Sequence, residues 1–436
     1  MQAKEDGLSS KRKLSALVMV ALLALAVGLG ACGDDDDDDG NGGGGGEASF
    51  DLTIGGVIPL TGDLSQFGPS ARKAIELATE EASQAAPGGV TVEATIEDSE
   101  TSPQAGQQAA TKAVSDGASC LVGAYASSVS IPIGESVASR QSVPQISPAS
   151  TSPEITDLDD GGFVFRTAPS DARQGVVLAD AAEGVLGGTD FTLSLAARND
   201  PYGEGIINSF RDSWEERGGS VTGDPVLYDP ELASYNSEAG QITSGNPDGY
   251  VIIDFEDPYS KVGAALVRTG NFDAENLFTA DGLAFSDGIP NTIPEQSLDG
   301  ATGTRPATPE GTAAAKAFAR LYNQAGGPER NTFDAQSFDA TLLCFLAAVA
   351  AGSSDGEAIQ AELQDVSGPG GEKYTFQQLG QAVQALQDGE DIDYEGVSGP
   401  VDFDENGDPS AATYEVYAYE NGALEVQEQV DFEADE

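Results

Sequence analysis

The stretch "IGGVIPLTGDLSQFGPSARKAIELATEE", residues 54–81, holds the pattern that decides the fold. The apolar run around its start, 50–59, is typical of a buried strand. Ala71, Ala74 and Ile75 then begin an apolar stripe with helical spacing, and a polar loop separates the two segments. A strand, a loop and a helix in this order form the first half of a βα unit, which predicts an α/β fold.

The same alternation continues along the chain and restarts after Arg166. It predicts parallel sheets that are covered by helices on both faces, so we expect two doubly wound lobes. A mostly helical stretch over 312–386, followed by strands after Gly399, indicates that the chain crosses between the lobes more than once. The further predicted strands are 90–98, 120–123, 143–146, 191–197, 221–227, 250–254 and 277–279. The predicted helices between them are 103–116, 131–140, 172–186, 203–217 and 259–269.

The composition limits both the environment and the chemistry. The chain of 436 residues has 20 basic and 73 acidic side chains, a net charge of −53 and no histidine. Such a charge repels itself unless salt screens it, so we expect a halophilic source. We expect no nucleic-acid partner, because no basic patch is present to neutralise phosphates. The lack of histidine excludes Ser-His-Asp and Cys-His catalysis and histidine-based metal sites, and we expect neither a metal nor a cofactor.

The N-terminal segment has the order of an export signal. Three basic residues, 11–13, precede an apolar run over 14–30 that is short for a membrane span. The four residues 29–32 resemble the lipobox of lipoproteins, so we expect 1–31 to be a signal peptide and Cys32 to carry lipid. An uncleaved transmembrane anchor is the alternative. The acidic, glycine-rich segment 32–48 then serves as a tether, and both interpretations place the rest of the chain at the outer face of the cytoplasmic membrane.

Two further cysteines and one acidic loop leave alternatives open. Cys120 lies in a strand-like run and Cys344 in a helix-like run, where they form either buried free thiols or a disulfide. The segment 402–413 has acidic residues at the early positions of a calcium loop, but Thr413 replaces the bidentate glutamate of the twelfth position. A hairpin turn is therefore favoured there.

The loops at the carboxyl ends of the strands are the expected ligand site, because open α/β sheets bind ligands there. They carry hydroxyls, a few aromatic rings and one well-placed acid, Asp281, which suits a small polar ligand. They contain no glycine-rich phosphate cradle. A carboxylate-pair hydrolase needs two such acids, so a binding protein is favoured over an enzyme. The loops are 60–69, 124–130, 147–153, 198–205, 255–259 and 281–287.

Seven segments in one order give the chain a family resemblance. The chain resembles the branched-chain amino-acid binding proteins, which are type I solute receptors of ABC importers. The resemblance implies two lobes joined by three crossovers that close on the ligand like a hinge. It implies a first lobe of 49–168 plus 301–397 and a second of 169–300 plus 398–434. The segments are 54–81, "LVGAYASSVSIPI" (121–133), "VPQISPASTSPEIT" (143–156), "FRTAPSDARQG" (165–175), "NDPYGEG" (199–205), "FTADGLAF" (278–285) and "SGPVDFDENGD" (398–408).

The resemblance also implies roles for individual residues. Ser127 and Ser128 match the position that binds the ligand carboxylate, where a helix N-terminus favours an anion; an ordinary helix cap is the alternative. Ala149 and Thr151 match the segment that gives a carbonyl and a hydroxyl to the ligand ammonium group, although a structural turn is the alternative. Asp281 matches the acid that pairs with the ammonium group.

Three aromatic residues complete the expected site. Tyr202 is expected to flank the ligand or to pack beside it. Phe67 stands where relatives often have tyrosine, and Phe255 is expected to line the cleft in a segment that lacks the usual glycine-tyrosine pattern. These departures leave the ligand open between a branched-chain amino acid and an amide, urea or aromatic acid. The expected partner is an ABC permease in the membrane, and a ligand sensor is the alternative role.

Overall fold

The computed structural model describes residues 49–309 and 311–433. The predicted signal peptide, tether and lipid attachment at Cys32 lie outside the described residues. The strands are β1 Phe50–Ile58, β2 Val90–Asp98, β3 Ala118–Gly123, β4 Gln145–Ser147, β5 Val164–Arg166, β6 Thr192–Arg198, β7 Ser220–Val221, β8 Val226–Tyr228, β9 Gly249–Ile253, β10 Leu277–Thr279, β11 Thr302–Pro306, β12 Glu372–Tyr374, β13 Ile392–Tyr394, β14 Ala411–Glu420 and β15 Ala423–Glu433. The helices are α1 Gly68–Ala85, α2 Pro103–Ser115, α3 Ser127–Ile133, α4 Ser139–Gln141, α5 Asp171–Leu186, α6 Pro201–Glu216, α7 Asn236–Ile242, α8 Glu256–Thr269, α9 Ala313–Ala325, α10 Asp334–Ala351, α11 Gly356–Ser367 and α12 Leu379–Gln387.

Two large sheets organise these elements, and β12 and β13 form a separate parallel pair. The first has five parallel strands in the order β2-β1-β3-β4-β5. The second has eight strands in the order β15-β14-β11-β10-β9-β6-β7, with β8 also beside β6. Strands β6 to β11 of this sheet pair in parallel, whereas β14 and β15 are antiparallel. The predicted α/β class with two parallel-sheet cores is therefore confirmed.

The second sheet differs from the sequence prediction at both ends. The single strand predicted over 221–227 is two short strands, β7 and β8. The C-terminal strands form an antiparallel hairpin, because Asn421 and Gly422 both have positive φ, 55° and 78°, and join β14 to β15 in a tight turn. The parallel core thus gains an antiparallel edge that the strand–helix alternation does not indicate.

Each of the two large sheets, with the helices packed on it, forms one half of the molecule. The chain passes between these two halves three times. It leaves the first sheet after β5 and leaves the second sheet after β11, and it returns from the helical stretch to the second sheet at β14. Strand β11 of the second sheet ends at Pro306, and the second passage follows it. The exact lobe boundaries predicted from the sequence stay a prediction.

Helix α10 forms the core of the first half. It is long and apolar enough to cross a membrane, but 89% of its apolar window is buried inside the protein, which is typical of a core helix. Cys344 on this helix and Cys120 on β3 are joined by a disulfide, with Cα atoms 6.0 Å apart. The interpretation of these residues as free thiols is therefore wrong. The sequence does not indicate this contact, because the two cysteines lie 224 residues apart.

The acidic loop near the C-terminus is a turn held by a buried ion pair. Arg166 binds the Asp408 carboxylate with Nε 2.5 Å from Oδ1 and Nη2 2.6 Å from Oδ2. Asp404 Oδ1 accepts hydrogen bonds from the backbone N–H groups of Asn406 and Asp408. An antiparallel bridge closes the turn, as predicted, and the described residues contain no group of three or more acidic or sulfur side chains placed to hold a metal.

Candidate functional site

A small cavity lies where the carboxyl ends of the two sheets face each other. Measured over the positions that the centre of a water molecule can take, its volume is about 10 Å³, which is room for about one water. Six of the eight predicted site residues line it, and four further residues complete the wall. The lining residues are Leu64, Phe67, Tyr125, Ala126, Ser127, Ala149, Tyr202, Phe255, Asp281 and Phe333.

The other two predicted residues do not reach the cavity wall. Ser128 is half-buried and lies one position beyond Ser127 in α3. Thr151 is fully buried behind the wall, where its hydroxyl donates to Asp171 Oδ2 at 2.9 Å and its carbonyl accepts from the Asp171 N–H at 2.7 Å. Thr151 therefore holds both the side chain and the backbone of Asp171 in place.

Asp281 is the buried acid of the cavity. It begins a short turn after β10, and its Oδ1 accepts hydrogen bonds from Gln174 Nε2 at 2.9 Å and from the Tyr202 hydroxyl at 3.3 Å. The Tyr202 oxygen in turn accepts from the Gly282 N–H at 3.1 Å. Burial raises the pKa of Asp281 to about 6, against the opposing effect of these hydrogen bonds. The carboxylate is held in place but is poorly solvated.

A second acid lies behind Asp281. Asp171 has no exposed surface, and burial together with the charge of Asp281 raises its pKa well above the ordinary value. Asp171 Oδ1 and Gln174 Oε1 have no hydrogen-bond partner within the described part of the chain. A positive charge nearby would favour the ionised form of both acids and could pair with these acceptor atoms.

The opposite wall belongs to the first sheet. Ser127 opens α3 directly after the loop that follows β3, and its Oγ accepts from the Ser152 N–H at 3.2 Å. The first N–H groups of a helix have no partner within it and favour negative charge. Positive potential from α3 and negative charge from Asp281 therefore lie on opposite sides of one cavity.

Aromatic rings cover the rest of the wall. Phe67, Tyr125 and Phe333 lie with ring centroids 5.8 to 6.2 Å apart. Tyr202 and Phe255 stack at 5.1 Å. The rings form a low-dielectric lining that suits an apolar side chain.

Arg198 supports the aromatic wall from behind. Its guanidinium carbon lies 3.7 Å from the ring centroid of Phe255, and its Nε donates to Asp200 at 2.6 Å. Its Nη1 lies 3.9 Å from both Asp254, on its own sheet, and Asp63, in the loop after β1. Burial raises the pKa of Asp254 to about 7, although Arg198 opposes this rise. The Asp63–Arg198 pair thus joins the loop after β1, in the first half, to the end of β6, in the second half.

Sequence reasoning missed part of this site. Gln174 and Asp171 lie in the crossover segment 165–175, which carries the family resemblance, but the resemblance gives neither residue a role at the ligand. Tyr125 likewise lies beside the predicted serines. Phe333 precedes a helix in a stretch without any local signal.

The site and the fold together define a class of protein. A family model described as "Periplasmic binding protein" matches residues 51–415, so the chain belongs to this family. Its members bind small solutes for ABC-type transport and are not enzymes, and the family indicates an extracytoplasmic location. The predicted resemblance to the branched-chain amino-acid binding proteins is confirmed.

Particular relatives are similar over most of their length. The chain is 26% identical to "Leu/Ile/Val-binding protein homolog 3" of Brucella melitensis, over 86% of this chain and 93% of the relative. It is 25% identical to "Chemotactic signal transduction system substrate-binding protein BasB" of Halobacterium salinarum, over 81% and 83%. Among solved structures, the substrate-binding protein LivJ of Streptococcus pneumoniae, in complex with isoleucine, shares the fold with a TM-score of 0.70 at 20% identity, over 88% and 100%.

Proposed function

We propose that the protein is a lipid-anchored receptor of an ABC importer that binds a branched-chain or related small α-amino acid between its two sheets. The observation that carries this proposal is the pairing of a buried acid, Asp281, with a helix N-terminus across an aromatic cavity. An α-amino acid has the matching groups, namely a cation, an anion and an apolar side chain. The names of relatives that bind leucine, isoleucine and valine support the same ligand class.

Each group of the ligand has a proposed contact. The ammonium group binds Asp281 and the carbonyl of Ala149, because a cation gains most from a carboxylate where water is excluded. The carboxylate lies at the start of α3, near Ser127. The side chain packs against the rings of Phe67 and Phe255, while Tyr202 holds Asp281 in place. Thr151 acts through Asp171, and Ser128 acts through the backbone at the start of α3.

Binding requires the two halves to move apart. A cavity of about 10 Å³ is far below the several hundred Å³ typical of a small-molecule site. We therefore propose that the sheets belong to two lobes, with a hinge at the three crossovers, and that the ligand enters an open form. The Asp63–Arg198 contact then forms on closure.

The cellular setting is part of the proposal. Cys32 attaches the protein to the outer face of the cytoplasmic membrane, and the acidic, glycine-rich tether 32–48 lets the receptor reach a permease. A second role is favoured by one observation, since one relative is named as part of a chemotactic signalling system. In that role the same closure reports occupancy to a membrane-bound signalling partner.

Thermal unfolding in molar NaCl, with and without single ligands, tests the ligand class. A ligand at about 100 times its Kd stabilises the folded state by about 2.7 kcal/mol. We expect leucine, isoleucine or valine to raise the Tm of the wild type but not of Asp281→Asn. Ser128→Ala is the matched control and keeps the shift, because this side chain lies off the cavity wall.

The remaining ligands separate the alternatives. A shift with benzoate, an amide or urea, and none with any amino acid, contradicts the proposed ligand class but keeps a receptor role. A shift that persists in Asp281→Asn contradicts the role of that acid.

A further inference from the structure

Gly205 of α6 lies where the two halves of the molecule meet. It is in the first turns of this helix, in the second half, and it faces Pro153 at the start of the short turn 153–155, in the first half. A Cβ atom placed on Gly205 would lie 2.6 Å from Pro153 Cδ and 3.4 Å from Ser152 Oγ. Carbon atoms in unstrained contact lie about 3.5–4.0 Å apart. Any side chain at position 205 would therefore overlap the proline ring.

Glycine is a costly residue at this place in α6. Its φ is not positive, so the backbone conformation does not require glycine. Alanine would strengthen the helix, because glycine loses more conformational freedom on folding than any other residue. The feature of the structure that does require glycine is its close approach to Pro153.

The first half has little freedom to admit a side chain at this contact. The ring of Pro153 closes onto its own backbone nitrogen, so its Cδ atom moves with the backbone. The preceding residue is held at both of its backbone groups. The Ser152 N–H donates to Ser127 Oγ at 3.2 Å, and the Ser152 carbonyl accepts from Arg166 Nη1 at 2.8 Å. Arg166 has no exposed surface and is itself paired with Asp408. Relief of an overlap would therefore require α6 to move away as a whole.

Both partners of this contact are coupled to the walls of the ligand cavity. Tyr202, one turn before Gly205 in α6, lines the cavity from the second half. On the other side, Ser152 is bonded to Ser127, which lines the cavity from the first half. Helix α6 also packs on α3, which begins at Ser127. The distance at which Gly205 meets Pro153 therefore sets the distance between opposite walls of the site.

We propose that Gly205 is a positioning residue, whose missing side chain lets α6 close against Pro153 and so sets how closely the two halves approach around the bound ligand. This inference rests on the proposed function, because it requires a ligand between the halves and a closing motion. A Cβ atom here holds the halves about 1 Å further apart, since a separation of 2.6 Å must become an ordinary carbon–carbon contact. The bound ligand then loses contact with one wall, whereas the open form is unaffected.

Leucine binding to wild type and Gly205→Ala tests the inference, with Kd measured by calorimetric titration and release of radiolabelled leucine measured in a rapid-filtration chase. We expect the Kd of Gly205→Ala to rise at least about fivefold, because overpacking of a tight contact has a cost of this size. The rise comes from faster dissociation. The association rate constant stays within about twofold of the wild-type value, because the ligand first meets the open form.

A second substitution separates this contact from other effects of a change in α6. Alanine has no Cδ atom, so Gly205→Ala/Pro153→Ala is expected to recover most of the lost affinity, with Pro153→Ala alone completing the cycle. Gly184→Ala is the matched control and keeps the wild-type Kd. Gly184 also lies in a helix of the second half, α5, but a Cβ atom there would meet no other atom within 4 Å.

The outcomes distinguish the two proposals, and unfolding curves report whether each variant is folded. If the wild type binds leucine and folded Gly205→Ala has the same Kd and dissociation rate, this inference alone is overturned. A loss of affinity that Pro153→Ala does not restore also overturns it. Failure of leucine to bind the wild type overturns the proposed function together with the inference.

Discussion

At the scale of single residues, the site depends on an acid that is costly to bury. The pKa of Asp281 rises from 3.8 to about 6 because burial disfavours its charge. A raised pKa means that the folded protein holds this proton more tightly than the unfolded chain. The contribution of Asp281 to stability is therefore greatest below about pH 4 and falls as pH rises through 6.

Asp281→Asn is expected to stabilise the ligand-free protein while removing ligand binding. Above about pH 7 the gain in the free energy of unfolding is at most about 3 kcal/mol, because a shift of about two units is removed. The gain shrinks towards about pH 4, where the native acid is protonated. Denaturant unfolding across this range measures it. A variant that is less stable than the wild type at high pH contradicts the assigned electrostatics.

The role of a residue was predictable only where the residue lies in a loop after a strand and also belongs to a family motif. Asp281, Ser127 and Tyr202 follow strands in segments with family motifs, and the structure brings them to one cavity. Phe333 was not predictable, because its place depends on α10 packing against the first sheet. The resemblance implies that the Thr151 hydroxyl contacts the ligand. In the structure this hydroxyl donates to the Asp171 carboxylate, a contact that the sequence does not show.

At the scale of elements, local periodicity predicted the helices and strands well. The pairing of the C-terminal hairpin with β11 and the disulfide between β3 and α10 were not predictable in the same way. Both depend on contacts between distant segments, and the two cysteines lie 224 residues apart. Alternation along the chain indicates which segments are strands but not which strand pairs with which.

The disulfide is expected to contribute strongly to stability. Because it closes a long loop, it restricts the unfolded chain more than the folded one, and its removal in Cys120→Ala/Cys344→Ala costs about 2–5 kcal/mol. Denaturant unfolding in molar NaCl measures the difference. Wild-type protein that is unfolded and then reduced gives the matched comparison. If the denaturant midpoint is unchanged in both the variant and the reduced protein, the contribution assigned to the disulfide is contradicted.

At the scale of the whole molecule, the net charge of −53 opposes compaction. We expect the Tm to rise continuously as NaCl increases from millimolar to molar concentration, since salt screens the repulsion between carboxylates. Potassium chloride at equal ionic strength gives the same curve if screening is the cause. A Tm that does not depend on salt contradicts the expected adaptation.

The ion pair between Asp63 and Arg198 is expected to stabilise the closed form. Asp63→Asn removes the carboxylate that faces Arg198 across the cleft at 3.9 Å, while the Arg198–Asp200 pair remains. The affinity for leucine is expected to fall about two- to fivefold, with little change in stability, because a partly exposed ion pair contributes modestly. Asp257→Asn is the control, since this acid is exposed and pairs with Lys261 on its own helix. Equal effects of the two variants contradict a role for the pair in closure.

The proposed function requires an α-amino acid to bind between the sheets with its ammonium group at Asp281. Calorimetric titration of the purified protein with leucine, in two buffers of different ionisation enthalpy, tests it most directly. We predict one ligand per chain, with proton release at about pH 6 and none at about pH 8, because the ammonium group lowers the raised pKa of Asp281. Absence of binding by leucine, isoleucine and valine, or binding without proton release at the lower pH, contradicts the claim.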